Sequence, residues 1–239
     1  MSVSHSAFEL ETPPRNTTAR EPLPAPENRS LYCLFVKRAL DLLIVSVALI
    51  LLSPLFLLIA LLVRMTSPGP ILHRENRVGR DASIFQILEF RTSTLDTEQD
   101  GWALTMADEE QVTGLGQILR MLNLAQMPQL WNVFRGDMSI VGPRPEVPSC
   151  VAMYTRQQLR LLTVRPGMTD MASVRCRHEA LVLAHALPTG ESYRRDVLPE
   201  RILLNLEYID RASLSIDLKL MTRSAYLIFR CNRAHQQKL

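Results

Sequence analysis

The pattern of hydrophobic and polar positions divides the chain into three parts. Residues 1–30 are rich in proline, charged and small polar residues and have few large apolar side chains. From Leu42 to Val63 the chain is apolar and carries no charge, and after it the pattern becomes that of a globular protein. We therefore predict a disordered cytosolic tail over 1–30, a membrane segment over 31–66 and a cytosolic domain over 67–239.

The apolar segment is long enough to cross a membrane. As a helix it would be about 33 Å long, and a bilayer core is about 30 Å thick. Ser53 and Pro54 lie near its middle, where the missing backbone donor of proline predicts a break. Basic residues favour the cytoplasm, and they flank both ends: Lys37 and Arg38 before it, and Arg64, Arg74, Arg77 and Arg80 after it. From these residues alone, a re-entrant helix-break-helix and an ordinary kinked transmembrane helix remain alternatives.

The remaining pattern predicts an α-rich, α+β domain. Ile84–Leu88 has the composition of a short strand, and apolar residues at helical spacing predict several helices. The predicted helical regions are Gly116–Leu124, Met153–Leu162, 179–196 (with a loop), Ile202–Ile209 and Ser215–Phe229. In the last helix Lys219, Arg223 and Arg230 are available to a membrane surface, so we predict an amphipathic interface helix, with core packing as the alternative.

Composition and cysteine spacing exclude several classes of protein. The formal net charge of +3 is too small to indicate a nucleic-acid partner. The four cysteines form no CxxC pair, which predicts reduced cytosolic thiols and no disulfide framework or zinc site. They are Cys33, Cys150, Cys176 and Cys231. We therefore name no metal-ligand set from the residues.

A series of motifs from about residue 35 to 222 resembles the bacterial sugar transferase family. The block Gly136–Pro145 (GDMSIVGPRP) is the most specific of them, and the others follow the family's order and spacing. They are Lys37–Asp41, Ser67–Pro70, Arg77–Arg80, Phe90–Thr92, Thr113–Arg120, Met127–Val133, Val164–Thr169, Tyr208 and Asp217–Lys219.

The resemblance implies both a fold and a reaction. The fold would be a re-entrant membrane helix followed by a small α-rich domain at the cytosolic face of the bacterial inner membrane. The reaction would transfer a sugar 1-phosphate from a UDP-sugar to undecaprenyl phosphate in exopolysaccharide or glycan assembly. An adjacent Asp-Glu pair carries it with Mg²⁺, the Asp acting as a covalent nucleophile. The implied ligands are membrane lipid, undecaprenyl phosphate and a UDP-sugar. The implied protein partner is a second copy of the chain in a homodimer or a partner glycosyltransferase.

The chain departs from the family at the residues that do this chemistry. Ala125 and Gln126 stand at the positions of the Asp-Glu pair, and neither can attack phosphorus. Three further positions are degenerate: Glu89 replaces a lysine, Gln111 an arginine and Asp170 a glycine. We interpret these changes as drift in a natural pseudoenzyme, with an engineered knock-out and altered but real catalysis as alternatives. A non-catalytic membrane regulator or scaffold is the alternative function.

The remaining polar motif residues have two candidate roles. Five arginines could bind substrate phosphate or face lipid headgroups: Arg91, Arg144, Arg165, Arg175 and Arg177. Arg144 could instead cap a helix or pair with Glu146. The membrane-anchor residues are Lys37, Arg38, Asp41, Ser53 and Pro54, and we expect Asp41 to form an interfacial ion pair with the two basic residues before it. Trp102 and Trp131 are interpreted as core or interface residues.

Overall fold

The computed structural model describes residues 36–66, 69–93, 112–175 and 198–236. The predicted tail over 1–30 and the region 179–196 lie outside these ranges. The helices are α1 (Lys37–Thr66), α2 (Gly114–Met121), α3 (Gln129–Arg135), α4 (Pro148–Val151), α5 (Met171–Arg175), α6 (Leu198–Arg211) and α7 (Leu214–Gln236). The strands are β1 (Leu72–Val78), β2 (Ile84–Phe90), β3 (Ser139–Val141) and β4 (Gly167–Thr169), and short 3₁₀ turns cover Arg80–Ala82 and Gln158–Thr163.

The membrane segment forms one uninterrupted helix, so the predicted break at Pro54 is wrong for this structure. Proline cannot donate to the carbonyl four residues earlier, which is that of Ile50. The hydroxyl of Ser53 donates to this carbonyl instead, at 2.8 Å. The hydroxyl of Ser53 therefore supplies the donor that Pro54 lacks. The carbonyl of Ile50 keeps a hydrogen bond, and the helix continues past the proline.

One side of α1 packs against the globular domain along the length of the helix. Near its start, Asp41 and Val45 are buried, and near its end, Ile59 and Val63 are buried. Between them, Leu49, Leu52, Leu55 and Phe56 are partly buried against the same domain. The spacing of about 3.6 residues defines a single stripe on one side of the helix.

The opposite side of α1 is exposed and apolar. It carries Leu43, Val47, Ile50, Leu51, Leu57, Leu58, Leu61 and Met65. Within the part of the chain that the structure describes, α1 is the one helix long and apolar enough to cross a membrane. A large apolar surface of this kind is unfavourable in water, and it indicates membrane association.

Two small sheets and three apolar clusters hold the helices together. β1 and β2 form an antiparallel hairpin with Leu72 opposite Phe90, and β3 pairs with β4 in parallel. One cluster joins the first half of α1 to β2 and α3, and a second joins its other half to β2 and α2. The third lies among α5, α6, α7 and β3. The helix-rich class is confirmed, although β1, β3 and β4 were not predicted.

Most of the predicted elements are present, but one is not. Ile84–Leu88 lies within β2, and the helices predicted near residues 116, 202 and 215 correspond to α2, α6 and α7. The helix predicted over Met153–Leu162 is wrong. The amide of Thr155 donates to the side chain of Gln158 at 2.8 Å, and this local cap precedes a 3₁₀ turn that ends at Thr163.

Candidate functional site

The segment that carries Ala125 and Gln126 is a turn between α2 and α3. The carbonyl of Ala125 accepts a hydrogen bond from the amide of Phe90 at 2.8 Å, which ties the turn to the end of β2. Ala125 is only 6% exposed, and it packs in the apolar cluster that contains Ile59 and Val63 of α1. The position at which the resemblance places the nucleophile therefore carries a buried methyl group beside α1.

Gln126 is partly exposed and lies at the first position of the turn into α3. Its carbonyl accepts from the amide of Gln129 at 3.0 Å, so its backbone helps to start that helix. The side chain is a neutral amide, which has the shape of glutamate but neither its charge nor its basicity. The segment thus presents no carboxylate of its own.

Glu89 brings a carboxylate to this segment from β2. Its Oε1 accepts a hydrogen bond from Nε2 of Gln129 at 2.8 Å. Gln129 is almost fully buried, so Glu89 satisfies a side-chain donor that would otherwise be costly to bury. Glu89, which stands where the resemblance places a lysine, therefore has a structural hydrogen bond in this fold.

α3 connects this segment to β2 and to α1. The side chain of Asn132 accepts from the amide of Leu88 at 3.0 Å and donates to the carbonyl of Gln86 at 2.7 Å. At the other end of α3, Arg38 donates to the carbonyls of Val133 and Phe134 at 2.7 and 3.1 Å. Cations at a helix C-terminus are favourable because the last carbonyls lack helical partners.

Two of the five predicted phosphate ligands take part in structural contacts of the domain. Nε of Arg165 donates to the carbonyl of Gly136 at 3.0 Å, beside the end of α3. Burial, together with the nearby positive charge of Arg38, lowers the pKa of Arg165. Arg91 is buried and donates to the carbonyl of Ser93 at 2.9 Å.

The other three arginines lie in separate surroundings. Arg175 donates to the carboxylate of Glu207 at 3.0 Å. Arg144 is half-buried and makes no hydrogen bond or salt bridge with another residue in the described ranges. Arg177 lies outside those ranges. The contacts do not gather the four described side chains at one point, and a shared anion site stays a prediction.

Arg144 instead contributes to a charged group around Glu146. Loss of hydration on burial raises the pKa of the Glu146 carboxyl, although the charges of Arg201, Arg77 and Arg144 act in the opposite direction. The predicted pairing with Arg144 is therefore one of three attractive electrostatic interactions, and the negative charge of Asp170 opposes them. The carboxylate is held among arginines but is poorly hydrated.

Asp170 is fully integrated into the fold, although the resemblance places a glycine there. It is 2% exposed, and its Oδ1 accepts from the amide of Ser173 at 3.3 Å at the start of α5. Its Oδ2 accepts from Arg201 and from Asn205 of α6, each at 3.4 Å. The third degenerate position, Gln111, lies outside the described ranges.

The predicted membrane-anchor residues are held by partners that the sequence pattern did not identify. Asp41 is buried and accepts from the hydroxyl of Ser139 at 2.7 Å and from the amide of Ile140 at 3.4 Å. Lys37 forms its salt bridge with Asp217, so the expected ion pair between Lys37 and Asp41 is wrong. The long sequence separation of these contacts explains why local pattern could not find them.

Tyr208 completes the contact between α1 and α7. Its hydroxyl accepts from Lys37 at 3.0 Å and donates to Asp217 at 2.7 Å. Tyr208 and Asp217 both lie in the closing motif of the sequence, and that motif was the signal that could have identified them. This network joins the start of α1 to the last helix.

The residues at the Ala125–Gln126 segment do not fit Mg²⁺. Magnesium prefers oxygen ligands and is usually held by one or two carboxylates. The segment supplies a methyl group and a neutral amide, and Glu89 is engaged by Gln129. Within the described ranges there is also no group of three or more acidic, histidine or cysteine side chains that could hold a metal.

Comparison with known proteins places these motifs in a family. A family described as bacterial sugar transferase matches residues 32–231. A UDP-glucose:undecaprenyl-phosphate glucose-1-phosphate transferase of Caulobacter vibrioides is 33% identical over 202 residues, covering 83% of this chain and 72% of the relative. The exopolysaccharide production protein ExoY of Rhizobium meliloti is 32% identical over 203 residues, covering 79% of this chain and 83% of the relative.

A third relative is much longer than the matched region. It is a UDP-N-acetylgalactosamine-undecaprenyl-phosphate N-acetylgalactosaminephosphotransferase of Aeromonas hydrophila, 38% identical over 143 residues. The match covers 59% of this chain and 34% of that relative, so the chain corresponds to about a third of its length. Because the family match extends over most of the sequence and over the membrane helix, the chain belongs to the bacterial sugar transferase family.

Proposed function

We propose that this chain is a membrane-anchored protein of exopolysaccharide or glycan assembly that does not catalyse its family's reaction. Two of the relatives are named for transfer of a sugar phosphate from a UDP-sugar to undecaprenyl phosphate, and a third is named for exopolysaccharide production. We place the globular domain at the cytosolic face of the inner membrane, where UDP-sugars and the phosphate of the lipid carrier are both accessible. Undecaprenyl phosphate and a UDP-sugar are therefore the proposed ligands.

The observation that carries this proposal is the buried methyl group of Ala125. A covalent phosphosugar intermediate needs a nucleophile, and the methyl group has no lone pair with which to attack. Gln126 cannot replace the second carboxylate, and Glu89 is bonded to Gln129 at 2.8 Å. Removing a catalytic nucleophile costs about 10⁴–10⁶ in kcat.

The surroundings of the degenerate residues favour a natural pseudoenzyme over an engineered knock-out. A knock-out would change the catalytic pair and leave the neighbouring positions as the family has them. Here Asp170 has acquired three hydrogen-bond donors, and Glu89 serves a buried amide. These are substitutions to which the fold has adjusted, and they fit a long period without selection for catalysis.

Binding without turnover is the role that the retained motifs support. Gly142 and Gly167 let two chain segments pass so closely that a Cβ on Gly167 would lie 2.1 Å from the amide nitrogen of Gly142. This packing holds the loop that carries Arg144. A regulator or scaffold that binds the lipid carrier, a UDP-sugar or a partner glycosyltransferase would need this framework and not the nucleophile. A homodimer is a further arrangement compatible with such a role.

We infer that both ends of α1 lie on the same side of the membrane, as in the predicted re-entrant topology, although the helix continues through Pro54 without the predicted break. The helix packs against one globular domain through Val45 near its start and through Val63 near its end. A membrane between these two residues would have to separate parts of one packed domain. Cysteines introduced before Lys37 and after Arg64 test this, and labelling of only one of them from the periplasm would reject it.

The test of the proposed function is UMP release from a UDP-sugar in the presence of undecaprenyl phosphate. The purified full-length protein should give no release above background, whereas the Caulobacter relative serves as the positive control. Binding of the UDP-sugar is measured in parallel by calorimetry on the same preparation. Sustained UMP release that purifies with the protein would reject the proposal.

A further inference from the structure

Two arginine side chains meet at Gly136, the residue that follows the last turn of α3. Nε of Arg165 donates to the carbonyl oxygen of Gly136 at 3.0 Å. Nη2 of Arg38 lies 3.3 Å from the position that a Cβ on Gly136 would take. The start of α1 and the chain before β4 therefore bring two guanidinium groups to the same residue, and the missing side chain of the glycine leaves room for one of them.

A third arginine comes to this region from the turn of the β1–β2 hairpin. The turn Arg80–Ala82 packs against the 3₁₀ turn Gln158–Thr163, which ends shortly before Arg165. Burial lowers the pKa of Arg165, and the charges of Arg38 and Arg80 lower it further. Three segments that are far apart in the sequence thus place three positive charges close together, and like charges in such a position destabilise one another.

The two carboxylates that act on Arg165, those of Asp41 and Asp81, are both engaged elsewhere. Asp81 pairs with Arg80 at 3.2 Å, and both of these side chains are exposed. Asp41 is buried, and its oxygens accept from the hydroxyl of Ser139 and the amide of Ile140. These carboxylates therefore offset the positive charge only in part.

Arg38 and Arg165 are held by backbone carbonyls and not by carboxylates. Both side chains are half-buried, and neither forms a salt bridge with a residue that the structure describes. Asp137, which follows Gly136, lies 3.6 Å from Arg135 instead. Arg165 donates through Nε alone, so its terminal N–H groups have no acceptor within the described ranges. A half-buried cation without a counter-ion is unfavourable, and a bound anion would offset its charge.

We propose that Arg38, Arg80 and Arg165 form a binding site for a phosphate ester of a lipid or of a soluble nucleotide, separate from the Ala125–Gln126 segment. Guanidinium groups match phosphate oxygens in both charge and geometry. The last carbonyls of α3 would repel an anion, but Arg38 and Arg165 donate to them. The segment precedes the start of α3 and the site lies at its end, so the 7 residues of this helix, on the order of 10 Å, separate them.

Calorimetric titration of inorganic phosphate into the full-length protein tests the site. The protein is kept in a non-ionic detergent, and sodium chloride of the same ionic strength is the blank. Arg80→Ala removes one of the three guanidinium groups, and the fold should tolerate it because Arg80 is exposed and pairs with its neighbour Asp81. Arg211→Ala is the matched control, since Arg211 is exposed and pairs with Glu207 of the same helix. Circular dichroism and thermal unfolding verify that each variant is folded.

We expect phosphate to bind the parent and the Arg211→Ala variant equally, and to bind Arg80→Ala about tenfold more weakly because one charge-assisted hydrogen bond to the anion is lost. Arg165→Lys keeps the charge but not the planar donor group, so its affinity should fall as well. Absence of phosphate binding to the parent would overturn the proposal. Equal affinities of Arg80→Ala and Arg211→Ala would overturn it too, since the phosphate would then lie elsewhere.

Competition identifies the ester. Dihexanoyl phosphatidylglycerol, farnesyl phosphate and UDP-glucose are each added to the phosphate-saturated protein. Displacement by one of the two lipids assigns the site to a lipid phosphate, and displacement by UDP-glucose assigns it to a soluble nucleotide. Displacement by none of them would mean that the site takes an adventitious ion only, which overturns the proposal. UMP release is a separate measurement, so an active enzyme would reject the proposed function and leave the outcome of this test unchanged.

Discussion

The start of α1 and the Ala125–Gln126 segment both lie in motifs of the family, but only the first carries the charged residues that the resemblance implies. Lys37 pairs with Asp217, and Asp41 accepts from Ser139. At the second region, Ala125 and Gln126 stand where the resemblance predicts two carboxylates. The difference has a physical explanation. A half-broken buried pair leaves a charge without a partner, at a cost of about 3–5 kcal/mol, whereas a carboxylate that serves only catalysis can be lost without unfolding the protein.

The largest expected effect comes from breaking the network at the start of α1. Asp217→Ala leaves the ammonium of Lys37 without its carboxylate, and both groups are largely buried. We expect the free energy of unfolding in micelles to fall by about 3 kcal/mol. Asp210→Ala, which removes a more exposed partner of Arg160, is the control, and its expected cost is below about 1 kcal/mol. Equal losses would mean that burial does not distinguish the two pairs.

A second test restores the family's glycine at a degenerate position. Asp170→Gly removes the acceptor for the amide of Ser173 and one buried carboxylate partner of Arg201 of α6. We expect a loss of about 2–3 kcal/mol in urea unfolding. Asp170→Asn keeps the shape and should lose less. A neutral or stabilising Asp170→Gly would show that the fold has not adjusted to the aspartate.

Restoring the catalytic pair tests the second region directly. Ala125→Asp with Gln126→Glu places a carboxylate in an apolar cluster, and we expect a loss of about 1–3 kcal/mol in stability. UMP release should remain weak, because Glu89 adds negative charge where the family places a lysine. Adding Glu89→Lys and Gln111→Arg should raise the rate by roughly tenfold each.

The control for the pair is Ala125→Asn, which introduces a buried polar group without a nucleophile. It should lose similar stability and release no UMP. Turnover of the double revertant at the level of the Caulobacter relative would contradict the drift interpretation. That result would identify the chain as an engineered knock-out of an otherwise intact enzyme.

The smallest expected effect is a pH dependence at Glu146. Burial raises the pKa of this carboxyl, so the folded state holds its proton more tightly than the unfolded state does. Its contribution to stability is therefore fully present below the unfolded pKa and falls as the pH rises through the folded pKa. Glu146→Gln stays neutral, and its stability relative to the parent should increase as the pH rises above the unfolded pKa of about 4.3. Glu200→Gln, on the exposed side of α6, controls for the loss of one carboxylate.

Local sequence pattern predicted the elements that have an apolar pattern of their own. α1, α6 and α7 have apolar residues at helical spacing, and β2 has a short apolar run. β1 could not be recognised because its interior, from His73 to Arg77, is polar. It forms a strand through its pairing with β2, which no local pattern encodes.

The candidate site was located by its motif, but its contacts were not. Ala125 and Gln126 were identified from the motif that surrounds them, and their neighbours come from distant parts of the chain. Glu89 and Gln129 are 40 residues apart, and Lys37 and Asp217 are 180 apart. Such pairs depend on tertiary packing, so the expected ion pair of Asp41 with its sequence neighbour was replaced by a bond to Ser139.

α1 is synthesised before every described helix and strand that it packs against. Asp41 precedes its partner Ser139 by 98 residues, and at bacterial rates of roughly 5–20 residues per second the ribosome needs on the order of ten seconds to deliver that partner. In this interval the charges of Arg38 and Asp41 have no folded partners, and lipid would solvate them poorly. The first turns of the nascent helix are therefore expected to stay at the headgroups, while its apolar residues after Asp41 insert into the membrane first. When α3 and β3 fold, their contacts with Arg38 and Asp41 hold the inserted helix in its final position.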